Sequence, residues 1–125
     1  MPFITIHVFK GIRARAENMA ICEGLKRAVK EALRIEHDNF HLRIREYEKD
    51  EMSVPAVSSE LYTAIDIAFM SRRDPEDKER LYKAAQAELA RFGIRESDTM
   101  IILSDPPLEN WYIRGRSGLE ISRGR

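Results

Sequence analysis

The 125-residue sequence contains a single cysteine, Cys22, so the chain cannot form a disulfide bond within itself. No basic cluster surrounds Cys22 in the predicted helix that carries it, so this thiol is predicted to behave as a small apolar side chain of the core. The N-terminal residues MPFITIHVF also lack the positively charged segment of a signal peptide. These absences predict a cytoplasmic protein.

An excess of charge of either sign is missing as well, because 21 Lys and Arg residues balance 21 Asp and Glu residues. Proteins that bind nucleic acid or a membrane surface usually carry a basic excess or a basic stripe. No apolar run approaches the ~18 residues that a membrane-spanning helix requires. The sequence therefore predicts a soluble protein with neither a nucleic-acid nor a membrane partner.

Motifs for metals and nucleotide cofactors are absent from the sequence. His37 and His41 lie four residues apart but outside any predicted helix, so they are not expected to share a face as zinc ligands do. No glycine-rich loop that could cradle a phosphate follows a predicted strand. The sequence therefore predicts neither a metal nor a cofactor.

What the sequence does contain is a strand-helix-strand pattern that occurs twice. Residues 3–9 alternate as a strand does, helical periodicity runs from about residue 13 to 33, and alternation returns at 40–45. A strand at 62–70, a helix that begins at Asp74-Pro75, and a strand at 99–103 repeat this order. A short final strand is expected at 111–113, before a tail rich in Gly and Arg.

This order predicts an α/β fold of the α+β type, in which two consecutive βαβ units form a four-stranded sheet with two helices on one face. The whole chain, residues 1–125, is predicted to be one domain. The first unit spans 2–47, the second 61–104, and a C-terminal hairpin or tail 105–125. The uncovered sheet face predicts a homo-oligomer.

Met1-Pro2 is the first candidate for chemistry. Removal of Met1 would leave Pro2 with a free secondary amine, and a free α-amine titrates at roughly 7.7–8.0. Burial and cationic neighbours lower that pKa, so such an amine in a pocket can serve as a general base or acid. A Met-Pro start is also common in proteins where it has no function.

The second candidate is the segment Ser71-Arg72-Arg73-Asp74-Pro75, at the junction between a strand and a helix. Two arginines just before a helix N-terminus favour an anion, and the guanidinium matches a carboxylate. The alternative is that Arg72 and Arg73 form surface ion pairs with neighbouring acids.

Two further candidates come from loops. In the segment NWYIRGRSG at 110–118, Trp111 and the arginines could wall an anionic pocket, or Trp111 could instead anchor the core beside a solvated basic tail. Asp38, just before the second strand, could polarise a water molecule or orient the amine, or it could be an ordinary turn residue.

The combination resembles the tautomerase superfamily of N-terminal proline enzymes, and in particular its long-chain members similar to malonate semialdehyde decarboxylase. The resemblance covers nearly the whole chain. The segments that carry it are MPFITIHVF, EHDNFHLRIREYEKDE, SRRDPEDKERLYK and ENWYIRGRSG.

The resemblance implies a role for each matching residue. Pro2 resembles the catalytic proline, Arg73 or Arg72 the arginine that binds the substrate carboxylate, and Asp38 the aspartate that assists beside the proline. In the decarboxylase one residue separates the two arginines, whereas here they are adjacent.

The late segment resembles the family's aromatic wall near the proline. Trp111 and Ile113 match this wall, although Ile113 replaces an aromatic residue, and Arg114 is the adjoining substrate-binding candidate. The family fold implies a homotrimer with a small carboxylate substrate.

The implied activity is keto-enol tautomerisation of small 2-oxo and 2-hydroxy-alkenoate carboxylic acids, with Pro2 as the general acid and base. The alternatives are a decarboxylase or hydratase in which a cationic Pro2 polarises a carbonyl, and a non-enzymatic trimeric binding protein. A cis-3-chloroacrylate-type dehalogenase is disfavoured, because Ala28, Val29 and Lys30 occupy the region where that enzyme carries a histidine.

Overall fold

The computed structural model describes residues 2–70 and 72–124, and the repeated β-α-β order is confirmed. The first unit consists of β1 (Phe3–Phe9), α1 (Arg15–Leu33) and β2 (His41–Tyr47), and the second of β3 (Thr63–Ala68), α2 (Pro75–Ala90) and β4 (Thr99–Ser104). A hairpin of β5 (Tyr112–Ile113) and β6 (Arg116–Ser117) follows and leads into the short helix α3 (Gly118–Ser122).

The four long strands form one mixed sheet in the order β2-β1-β3-β4. Each unit contributes a parallel pair, and the two units join through the antiparallel pair β1 and β3. Phe3, at the start of β1, pairs with His41 at the start of β2 and with Ala68 at the end of β3. The starts of β1 and β2 and the ends of β3 and β4 therefore share one end of the sheet, here named the Pro2 end. The opposite end is named the far end.

Both long helices cover one face of this sheet, as the apolar patterns predicted. Alternate side chains of the central strands and the inner stripes of the helices form one core. The largest fully buried members are Phe69, Ile4, Ile6, Ile21, Leu25, Leu33, Ile65, Ile67, Leu81, Leu89, Ile94 and Val29. Full burial of each such side chain contributes about 1.5–3 kcal/mol to stability. Cys22 packs against the core, and burial raises the pKa of its thiol, which confirms its predicted apolar role.

The opposite face of the sheet is open and mixed in character. Met100 and Ile102 on β4 are 47% and 52% exposed. Near the middle of the face, His7 Nδ1 lies 2.6 Å from the Tyr47 hydroxyl and Nε2 lies 2.8 Å from Asp66 Oδ2. His7 is thus held by neighbours on both adjacent strands. No helix in the described part of the chain has the length and apolar character needed to cross a membrane.

The boundaries differ from prediction where the backbone turns. Helix α1 begins at Arg15 because Ala14 is extended, with φ −65° and ψ 155°. Strand β2 begins at His41 because the Phe40 N–H closes a turn onto the Asp38 carbonyl at 2.9 Å. Strand β3 is shorter at both ends than the predicted 62–70, and β4 is one residue longer than the predicted 99–103.

The predicted tail also contains structure that the sequence pattern did not indicate. Its first strand lacks Trp111. The second strand, β6, forms the hairpin that was one of the two forms predicted for 105–125, and α3 follows where a Gly/Arg-rich tail was expected. Arg114 and Gly115 both have positive φ, at 49° and 84°, which is the requirement of a two-residue type I′ hairpin turn. An arginine is an uncommon residue in that conformation, so the turn is poorly marked in the sequence.

Candidate active site

Pro2 is buried immediately before β1, and its carbonyl accepts a hydrogen bond from the His41 N–H at 3.0 Å. The sheet register continues from the Phe3–Ala68 pair, so Pro2 lies beside the residues that follow β3. Those residues form the arginine-bearing junction that sequence analysis selected as an anion site. Met1 and Ser71, which belong to the two predicted motifs, lie outside the described residues.

Two cavities open at the Pro2 end, one on each side of Met70. The Arg72 cavity, of about 700 Å³, is lined by Met70, Arg72, Asp105, Pro106, Pro107, Leu108 and Ser122. The hairpin cavity, of about 370 Å³, is lined by His37, Asn39, Met70, Ile113, Arg114, Arg116 and Ile121. The hairpin and the β3-α2 junction are therefore brought together around one side chain, although about 40 residues separate them in sequence.

The charge around these cavities is predominantly positive. Among the ion pairs of residues 2–70 and 72–124, none involves Arg72, Arg114 or Arg116. The carboxylate of Asp105 instead lies 3.7 Å from the Lys78 ammonium. Three guanidinium groups thus face the cavities without a carboxylate of the described residues to neutralise them, which is an arrangement suited to an anionic ligand.

The hairpin is fixed to the segment that follows β4 by close contacts. Trp111 Nε1 donates to the Pro106 carbonyl at 3.0 Å, and the Gly118 N–H donates to the Trp111 carbonyl at 2.8 Å. A Cβ atom at Gly118 would lie 2.1 Å from the Leu108 carbonyl oxygen, so only glycine fits there. Trp111 therefore holds the segment in place, while Ile113 and Arg114 line the hairpin cavity.

Arg73 and Arg72 point to different surroundings. Arg73 is half-buried, and its Nη1 donates to the Leu33 carbonyl at the C-terminus of α1 at 2.7 Å. Arg73 directly precedes the N-cap residue of α2, and Arg13 directly precedes the N-cap residue of α1. The Nη2 atom of Arg13 donates to the Phe92 carbonyl, just beyond the end of α2, at 3.2 Å. The two arginines thus brace the antiparallel helices symmetrically, and Arg72 is the exposed arginine of the junction.

Asp38 lies at the Pro2 end but is engaged by α1. Its Oδ1 accepts a hydrogen bond from Lys30 Nζ at 2.6 Å and lies 3.6 Å from Lys26 Nζ. The hydrogen bond from Lys30, with the positive charges of both lysines, lowers the pKa of Asp38. The carboxylate is therefore ionised at neutral pH and is directed towards the lysines.

Several cavity residues were not singled out from the sequence. His37, Asn39 and Met70 become neighbours only because β2 begins where β3 ends, and Arg116 because a two-residue turn folds it back beside Arg114. For His37, Asn39 and Met70, the available signal in the sequence was position shortly before β2 or shortly after β3. No group of three or more His, Cys, Asp or Glu side chains within 2–70 and 72–124 is arranged to hold a metal ion.

Comparison with known families identifies the class of protein. A family model described as "Tautomerase enzyme" matches residues 38–114, which is more than half of the chain. The chain therefore belongs to this tautomerase family, and the resemblance inferred from its sequence is confirmed.

Solved structures show the same fold across nearly the whole chain. Malonate semialdehyde decarboxylase is 18% identical, with a TM-score of 0.84 over 98% of each chain. The protein Pt0534, in a form inactivated by 2-oxo-3-pentynoate, is 20% identical, with a TM-score of 0.84 over 98% of this chain and 99% of its own. A fused 4-OT solved as an asymmetric trimer is 16% identical, with a TM-score of 0.81 over 98% and 99%. The predicted fold class is thereby confirmed.

Proposed function

We propose that this protein is a cofactor-independent tautomerase that interconverts the enol and keto forms of small 2-hydroxy-alkenoate and 2-oxo carboxylic acids, with Pro2 as the proton-transferring group. The observation that supports this most directly is a set of three arginines, Arg72, Arg114 and Arg116, around two cavities at the Pro2 end. None of them has an ion-pair partner within 2–70 and 72–124. Guanidinium groups bind a carboxylate through paired hydrogen bonds.

The proposed reaction needs one proton-transfer group and one anion site. With Met1 removed, the neutral Pro2 amine takes the proton of the enol hydroxyl and returns a proton to carbon. Arg72 stabilises the negative charge that develops on the oxygen, which is usually the largest catalytic contribution. Burial and nearby cations both lower the pKa of an amine, the direction that a base acting near neutral pH requires.

The remaining candidate residues receive supporting roles. Arg114 binds the substrate carboxylate, Ile113 shapes the hairpin cavity, and Trp111 keeps both in position through its bond to Pro106. Arg73 acts through the helix pair and so positions Arg72. Asp38, held by Lys30, contributes a fixed negative charge near the start of β2.

A decarboxylase or hydratase reaction is the second candidate, because Asp38 is ionised and lies three residues before the strand residue that pairs with Phe3. In this reaction a cationic Pro2 amine polarises a carbonyl, and Asp38 positions water or substrate. The similar structure of malonate semialdehyde decarboxylase, described with decarboxylase and hydratase activities, has the same fold.

We also propose that the working form is a homotrimer. The open sheet face, with Met100 and Ile102 about half exposed, needs a cover that a second copy supplies. Trimeric arrangement is described for fused 4-OT proteins of the same fold.

The test is phenylenolpyruvate ketonisation by protein whose mass verifies removal of Met1, combined with an NMR pH titration of the Pro2 nitrogen. The tautomerase proposal expects turnover and an amine that titrates below about 7. Absence of turnover with an amine that titrates well above neutrality would favour the decarboxylase or hydratase. Retention of Met1 in active protein would exclude Pro2 as the base, because its nitrogen would then be an amide.

Substitution Gly118→Ala is expected to reduce kcat/KM by about 10²-fold, because a displacement of about 1 Å at a positioning group can cost that much. The new Cβ would meet the Leu108 backbone at 2.1 Å, so the hairpin that carries Arg114 must shift. Gly24→Ala is the matched control, since its Cβ would meet only the end of the Glu88 side chain at 2.7 Å, which can move. Equal kinetics for both variants would show that the hairpin has no part in the reaction.

A further inference from the structure

The far end of the sheet carries a counterpart of the arginine-bearing junction at the Pro2 end. The residues before the two long helices are Ala14 and Asp74, so the two units are offset by 60 positions, and Arg13 and Arg73 form matching braces. A cavity of about 630 Å³ opens at the far end. It is lined by Lys10, Gly11, Arg13, Arg15, Asn18, Met19, Ile44 and Glu46.

One side of this far-end cavity attracts a negative group. It includes the N-terminus of α1, where Ala14 provides no side chain to cap the first turn. The free N–H groups of an uncapped first turn, together with the helix dipole, favour an anion. Lys10 and Arg13 are paired with Glu48 and Glu17 at 3.4 and 3.2 Å, whereas no ion pair within 2–70 and 72–124 involves Arg15.

A second feature of this cavity, one turn further along α1, attracts a hydrogen-bond donor. Asn18 is only 6% exposed, and its Oδ1 is buried without a hydrogen-bond partner among the described residues. A buried carbonyl oxygen left without a partner costs about 1–3 kcal/mol, so its presence points to a missing donor. Glu46, on β2, also lines the cavity and takes no part in the ion pairs within 2–70 and 72–124.

In the second unit, the helix position equivalent to Asn18 carries a hydrogen-bond donor. Sixty positions after Asn18 is Lys78, whose ammonium lies 3.7 Å from Asp105. Asp105 directly follows Ser104, the last residue of β4. Ser104 pairs with Ala68 of β3 in the second unit, just as Glu46 of β2 pairs with Val8 of β1 in the first unit. At the Pro2 end an ammonium of the chain itself therefore lies beside this carboxylate, whereas at the far end Asn18 offers only an amide.

We propose that the far-end cavity binds a free α-amino acid as its zwitterion. Arg15 and the first turn of α1 bind the carboxylate, while Asn18 Oδ1 and Glu46 accept hydrogen bonds from the ammonium. Met19 and Ile44 form an apolar wall for the side chain of the ligand. The site lies at the opposite end of the sheet from Pro2, so it does not depend on the function proposed above.

Three probes with matched carbon skeletons test the assignment on the intact, full-length protein. L-leucine carries both charges, 4-methylpentanoate lacks the ammonium, and 3-methylbutylamine lacks the carboxylate. The readout is the NMR chemical shift of the Arg15 and Asn18 backbone amides and of the Asn18 side-chain amide. Saturable shifts are expected with L-leucine, at an affinity at least tenfold higher than with either single-charge probe. Residue-specific signals separate this site from carboxylate binding near Arg72.

Exposed wall residues provide the variants, because their side chains can change without disturbing the core. Arg15→Gln and Glu46→Gln are each expected to weaken L-leucine binding by tenfold or more. Arg27→Gln, on the same helix but about three turns away, is expected to leave it unchanged. The proposal is overturned if no probe produces saturable shifts, or if 4-methylpentanoate binds as tightly as L-leucine and Glu46→Gln has no effect.

Discussion

Substitution Pro2→Ala is expected to lower kcat for phenylenolpyruvate ketonisation by about 10²–10⁴-fold, the range that positioned proton transfer contributes. Removal of Met1 from this variant leaves a primary amine in place of the secondary amine of proline. The ring that prevents rotation about the N–Cα bond is also lost, so the lone pair of the amine is no longer held in one direction. Wild-type and variant proteins of verified mass should be compared under identical conditions.

A second variant separates the amine from the proline side chain. Insertion of a bulky residue between Met1 and Pro2 blocks removal of Met1 and converts the Pro2 nitrogen into an amide, which cannot accept a proton. Activity is expected to fall at least as far as in Pro2→Ala, with circular dichroism and oligomeric mass unchanged. Full activity in this extended protein would show that another group is the base.

The fold could be predicted from sequence because its signals are local. The alternation in β1 and the apolar stripe of α1 each follow from a period of a few residues. Asp74-Pro75 marks the start of α2, where the Asp77 carboxylate accepts from the Asp74 N–H at 3.4 Å. The antiparallel pairing of β1 with β3 has no such local signal, yet it is what brings Pro2 beside the second junction.

The candidate site was only partly predictable for the same reason. Both arginines of the junction could be predicted as site residues from the sequence, but the directions of their side chains depend on tertiary contacts. Arg73 reaches the Leu33 carbonyl, which is 40 positions earlier in the chain. The direction of the Arg114 side chain depends on a backbone φ of 49°, a conformation for which arginine has no particular propensity.

Each unit carries an aspartate shortly before its last strand. In the second unit this residue is Asp98, which is fully buried and accepts hydrogen bonds from the Ser59 N–H at 2.5 Å and the Ser59 hydroxyl at 2.8 Å. Burial acts to raise the pKa of Asp98, but the bonds from Ser59 and Arg95 outweigh it, and the pKa is lowered. Asp98 thus fixes a loop, whereas the exposed Asp38 is held by Lys30 of α1.

Arg72→Gln and Arg73→Gln are expected to have opposite effects, although the residues are adjacent. Arg72 is exposed and has no ion-pair partner in the described chain, so its loss should change the free energy of unfolding by less than about 0.5 kcal/mol. Loss of one donor to a developing oxyanion costs about 10²–10³ in rate, and kcat/KM should fall by that factor. Arg72→Lys retains the charge but not the planar fork, and it should recover only part of the activity.

Arg73→Gln should instead reduce stability, because the bond from its Nη1 satisfies the Leu33 carbonyl at the end of α1. A hydrogen bond from a charged donor contributes about 1.5–3 kcal/mol to stability. The free energy of unfolding, measured by urea denaturation, is expected to fall by this amount. Arg13→Gln is the matched control, since it removes the symmetric bond to Phe92 at the far end and should destabilise without lowering kcat/KM. If Arg73→Gln abolishes turnover at full stability while Arg72→Gln is fully active, the charge-stabilising role proposed for Arg72 belongs to Arg73, because a brace alone would have produced the same pattern as Arg13→Gln.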